Sequence, residues 1–111
     1  MPVNGSGEAG LTEVDEELYR KDIEGMEDVV VAACCKLYDV QPCKVRYGRM
    51  TTRRQWGHYM WGADEVVLHR AWMGVLIHEV AHYIAWTKYG CESHNWQFKG
   101  VLDQCRDWCM F

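Results

Sequence analysis

The most chemically loaded spacing in the chain is His78-Glu79-Val80-Ala81-His82, two histidines four residues apart with a glutamate directly after the first. On an α-helix, positions i and i+4 share a face and lie about 6 Å apart along the axis. Two imidazoles so placed converge on one Zn2+ with Zn–N bonds of about 2.0–2.1 Å. Glu79 points to the same side and can reach a water at the metal, as a general base for hydrolysis does. The surrounding residues (Val75, Leu76, Ile77, Val80, Ala81, Ile84 and Ala85) are apolar. Two His and a Glu in such a setting need a compensating partner, and a metal is one. The plain rival is a pair of surface or hydrogen-bonded helix histidines.

A catalytic zinc takes three protein ligands and keeps one position open. His94 is the natural third, after a short turn (Cys91-Glu92-Ser93) and at the start of the next apolar pattern. Phe98, one turn later, would anchor that helix in the core. Glu92 is the fallback ligand. His58 and His69 fall outside this constellation, either as solvated strand residues or as cleft residues touching substrate. An oxyanion needs a donor, and Tyr59, Tyr83, Tyr89, His69 and Arg70 are unranked candidates.

The elements that must position these residues follow from pattern. Residues 1–10, rich in Gly, Ser and Asn, read as a flexible tail, and 11–111 as one domain. Thr12 with Asp15 resembles a capping box opening a leading helix that runs to about Tyr38. Asp22 interrupts its apolar stripe and Gly25 weakens it, so this is two helices or one bent one. From Cys43 to about Ala71, three short β-rich runs with turns at Gly48–Arg54 and Gly62–Asp64 predict an antiparallel meander. From Trp72 to about Lys88 the chain is apolar on nearly every side, which predicts a central buried helix stopped by Gly90. A final helix is expected from Asn95 to about Trp108. The predicted class is α+β.

The chain has 111 residues and 13.0 kDa, room for one core. At 49% apolar and 13% aromatic it is not disordered. No run suits a transmembrane helix. Met1–Gly10 lacks the basic and apolar regions of a secretory signal, so a cytoplasmic product is expected. Residues 1–28 carry nine acids against two bases, and the remainder ten bases against seven acids. Lys44, Arg46, Arg49, Arg53 and Arg54 form a basic segment, read either as a solvated sheet face or as a surface for nucleic acid or acidic peptide. The six Cys contain no C-x-x-C pair, which disfavours a structural zinc site. Buried free thiols are the plain reading, and Cys91 is the one best placed to influence the metal.

His78-Glu79-x-x-His82 followed by His94-x-x-x-Phe98 resembles the SprT-like, WLM and YgjP-like group of small zinc metallopeptidases. Arg49–Gly57 is similar to the basic segment ending in Trp-Gly that precedes the sheet in that group, and Glu65–Trp72 to its strand before the active-site helix. The resemblance covers roughly residues 43–102. The group often has Asn where His69 stands and Gly where Asn95 stands. The resemblance implies a gluzincin-like minimal catalytic core: leading helix, small sheet, HExxH helix and backing helix. It implies zinc ligands His78, His82 and His94, with Glu79 as general base in a hydrolase cleaving protein or peptide substrates. Nucleic-acid association, as in the DNA–protein crosslink proteases of the SprT-like group, is a further expectation from the basic segment. The alternatives are a zinc-dependent nuclease or other phosphoester hydrolase, and a non-catalytic zinc-stabilised binding module.

Overall fold

The computed structural model describes residues 17–49 and 56–110. The expected tail, the Thr12 capping box, Arg53 and Arg54 lie outside the described residues. The first described helical residues are 17–19. The chain then breaks at the two positions that weaken the helical pattern. Asp22 forms an isolated antiparallel bridge with Trp72, and Gly25 takes φ 89°, in the left-handed region that favours glycine. Helix α1 follows at Glu27–Leu37 and buries Val30, Val31, Cys34 and Cys35. It ends where Asp39 turns left-handed at φ 55°, with Pro42 shortly beyond. The leading helix is therefore two helical segments rather than one.

Strands β1 (Lys44–Tyr47), β2 (Gly57–Tyr59) and β3 (Glu65–Leu68) form one sheet in the order β1-β3-β2. Here the structure corrects the expected antiparallel meander. β1 pairs with β3 in parallel, Lys44 opposite Glu65 and Tyr47 opposite Leu68. Only β2 runs antiparallel, with Gly57 opposite Leu68 and Tyr59 opposite Val66.

Burial explains the order. Val66, Val67 and Leu68 are all buried, whereas three of the four β1 residues are exposed. The most apolar strand takes the middle, and the charged strand goes to an edge, where exposed Lys and Arg side chains are tolerated. The parallel pairing also brings the basic start of β1 to the acidic start of β3. Arg46 Nε lies 3.1 Å from Glu65 Oε1, and Lys44 Nζ lies 3.8 Å from Asp64 Oδ2. Such exposed pairs contribute little energy, so burial is the stronger cause.

Helix α2 (Met73–Tyr89) is the centre of the molecule. It packs against α1, β2, β3 and the last helix, α3 (Trp96–Met110). Gly90 ends α2 in the left-handed conformation, φ 68°, as its position predicts. Its N–H donates to the Trp86 carbonyl at 2.8 Å. No helix among the described residues is long and apolar enough to cross a membrane.

The start of α2 is clamped by the chain segment before α1. Ile23 N–H donates to Ala71 O (3.0 Å) and Met73 N–H to Lys21 O (2.8 Å). The Tyr19 ring lies directly on Gly74, where an added Cβ would sit 1.9 Å from Tyr19 Cδ2. Gly74→Ala gains helix propensity of up to about 1 kcal/mol but overpacks this contact at about 1–3 kcal/mol. The expected outcome is a lower midpoint in urea or thermal unfolding. An unchanged or raised midpoint would show that Tyr19 moves aside freely.

Candidate metal centre

His78 and His82 stand one turn apart on α2, and the loop after Gly90 brings His94 to meet them. One ring nitrogen from each histidine lies within 4.8 Å of the others, the only such group of three among the described residues. His94 Nε2 is 3.1 Å from His82 Nε2 and 3.3 Å from His78 Nε2. A tetrahedral zinc with Zn–N bonds of about 2.0–2.1 Å needs its nitrogen ligands about 3.3 Å apart. The donor set therefore fits the ion. Hydrogen bonding alone serves this geometry poorly. The nitrogen of His94 faces two others and has either one proton or one lone pair to offer them, whereas a cation accepts a lone pair from all three.

Burial holds His82 in the neutral state. His82 is 7% exposed. Burial, and secondarily the neighbouring His78 and His94, lower its pKa to about 3. A neutral imidazole is the form that binds metal. His82 Nδ1 is buried and has no hydrogen-bond partner among the described residues. Metal-binding histidines usually fix their ring through that atom. Here packing fixes it instead. Phe98 stacks on the ring with centroids 4.1 Å apart and planes at 23°, and Trp61 meets it edge-on at 5.4 Å. Phe98 also lies edge-on to His78 (5.2 Å) and His94 (4.8 Å), forming a buried floor under all three imidazoles. The anchoring role expected of Phe98 extends to the rings themselves.

His94 is delivered by a helix cap. Asn95 Oδ1 accepts the backbone N–H groups of Gln97 (2.9 Å) and Phe98 (3.2 Å), the pattern of an N-cap. The Cys91 thiol lies 3.0 Å from the same oxygen and 3.2 Å from the Ser93 carbonyl. Cys91 thus braces the loop that carries His94 rather than facing the three histidines. The cap was legible in principle, since Asn immediately before an apolar-periodic run is a start signal.

Glu79 is 7% exposed on the same helix. Gly57 of β2 comes down on it: an added Cβ there would lie 3.2 Å from Glu79 Cγ and 2.8 Å from Val75 Cγ1. An isolated glycine in a strand is the signal for such a close approach. Trp61 carried no comparable signal.

The other named residues are elsewhere. Glu92 is exposed and outside the three-histidine group. His58 and His69 pair with each other, centroids 5.4 Å apart. His69 Nδ1–H donates to Gly48 O at 2.8 Å. Burial, then His69 and Arg46, lower the His58 pKa. Among the oxyanion candidates, Tyr59 donates its hydroxyl to Ala63 O (2.8 Å) and Tyr83 to Gln41 O (2.6 Å). Tyr89 is exposed near the end of α2. The Arg70 guanidinium lies over the Trp72 ring.

The model of the SprT-like family matches residues 43–110, more than half of the chain. No curated protein and no solved structure matches it.

Asn95→Ala removes the cap and frees the His94 loop. The expected outcome is metal affinity lowered about 10–100-fold, the range for losing a group that orients a ligand. Competition against a coloured chelator measures it. Asn95→Asp keeps the capping oxygen and should keep most of the affinity.

Proposed function

The chain belongs to the SprT-like family, and we propose that it is a zinc-dependent metallopeptidase with His78, His82 and His94 as ligands and Glu79 as general base. The observation that carries this reading is the convergence of three imidazole nitrogens within 4.8 Å of one another, with those of His78 and His82 at 3.3 and 3.1 Å from that of His94 and a buried carboxylate one residue from His78. A purely structural zinc site closes its fourth position with a further protein ligand, and no fourth His, Cys, Asp or Glu joins this group among the described residues.

Bound zinc supplies water activation and carbonyl polarisation at this site. The protein supplies the rest. Glu79 accepts a proton from the attacking water and passes it to the leaving amine. Low exposure of Glu79 and His82 limits competing solvent. β2 is one edge of the described sheet, and its Gly57 lies against Glu79. An extended peptide added to that edge is carried alongside the general base.

Two measurements test the reading. Purified protein should hold about one zinc per chain, as expected for a single three-ligand site, and His82→Ala should hold almost none. Glu79→Gln should retain zinc and lose casein hydrolysis by about 10²–10⁴-fold. Zinc well below half an equivalent per chain overturns the metal site. Cleavage of RNA or DNA with casein left intact moves the protein to phosphoester chemistry.

A further inference from the structure

We infer that Trp61 is a specificity wall beside the metal centre, selecting peptides with an aromatic or bulky aliphatic side chain next to the scissile bond. This rests on the peptidase reading above. The turn after β2 holds Trp61 in place. Ala63 N–H donates to Met60 O at 2.9 Å. Gly62, third in that turn, takes φ 88°, and Tyr59 Oη–H donates to Ala63 O at 2.8 Å. Trp61 therefore sits on a closed turn that only a left-handed residue at 62 permits.

Its ring is backed on three sides by other rings. Tyr59 lies edge-on at 5.7 Å, Trp86 tilted at 6.5 Å, and the metal-site ring of His82 edge-on at 5.4 Å. Yet Trp61 remains 43% exposed. A large aromatic that is fixed in place, open to solvent and in contact with a metal-site ring is the composition of a binding wall rather than of a core. Phe98 touches the same ring but is buried, so it cannot meet a substrate.

Reach fits as well. Consecutive Cα atoms of a peptide are about 3.8 Å apart. A residue adjoining a carbonyl held at the three histidines is thus within side-chain reach of a ring that touches His82. Aromatic and aliphatic side chains gain there from apolar burial and edge-to-face contact; Ala and charged side chains do not.

Two otherwise identical quenched peptides, with Phe or with Ala on both sides of the cleaved bond, test this. The unmodified enzyme should prefer the Phe peptide by about tenfold in kcat/KM. Trp61→Ala should bring the two values together, and Trp61→Phe should restore part of the preference. Any change in zinc occupancy acts on both peptides equally and cancels in the ratio. An equal loss on both peptides overturns the inference. Should Trp61→Ala not fold, Trp61→Gln keeps a long side chain on the turn and serves the same comparison. Binding to Glu79→Gln separates this proposal from the peptidase reading. If neither peptide is cleaved by the unmodified protein, that reading fails. Tighter binding of the Phe peptide to Glu79→Gln, abolished by adding Trp61→Ala, still upholds the wall. Equal affinities for the two peptides overturn it.

Discussion

The structure depends on one constraint: a helix buried on almost every side must carry two imidazoles and a carboxylate near its middle. Uncompensated polar groups in such a place cost several kcal/mol. Charging His82 is disfavoured by burial and by its two histidine neighbours, so this imidazole is held neutral beside His78 and His94. At 3.1 and 3.3 Å the nitrogen of His94 has one proton or one lone pair for two neighbouring nitrogens, so hydrogen bonding serves only part of the cluster. A divalent cation at the point where they converge would accept a lone pair from all three nitrogens. Binding of a metal here would be coupled to the packing of α2 and α3, because the nitrogens meet only when those helices are in contact.

The elements around α2 can be understood as the enclosure of that polar strip. α3 supplies the floor through Phe98, and the turn after β2 supplies a side through Trp61. β2 covers Glu79 through Gly57, and the residues before α1 cover the start of the helix through Tyr19 on Gly74. Both glycines stand where backbone or ring must approach more closely than a Cβ allows. Such contacts use the absence of a side chain as a packing feature, which is why α2 tolerates a glycine in its first turn despite the propensity cost.

Much of this was legible in the sequence, for a physical reason. His78, Glu79 and His82 are related by helical geometry alone, and the left-handed stop at Gly90 and the placement of His94 and Phe98 are nearly as local. Asp22 and Gly25 marked the break in the leading helix for the same reason. The sheet was different. Sequence adjacency favoured a meander, but strand order is decided by which strand buries most surface. Val66, Val67 and Leu68 took the centre and left Lys44 and Arg46 at an edge. The Trp61–His82 contact was invisible because it joins a turn to a helix through tertiary packing, with no periodicity to announce it.

The six thiols sharpen the question of why a metal would choose histidines here at all, since zinc binds thiolate well. Geometry decides it, and burial acts in the same direction. Burial pushes the Cys35 thiol up to about 11 and the Cys43 thiol up to about 12. Cys34 and Cys109 are raised as well, Cys34 first through its hydrogen bond with Cys105 and Cys109 first through its bond with Cys34. Their sulfurs lie 3.4 Å apart, where α1 meets α3. These four thiols are thus harder to ionise than a free cysteine. They also fail on geometry, because no three of them converge among the described residues. Where α1 and α3 pack together they serve as small apolar side chains. The imidazole of His82 needs no proton removed to offer a lone pair, so the three-histidine cluster is the group in this core suited to a metal ion.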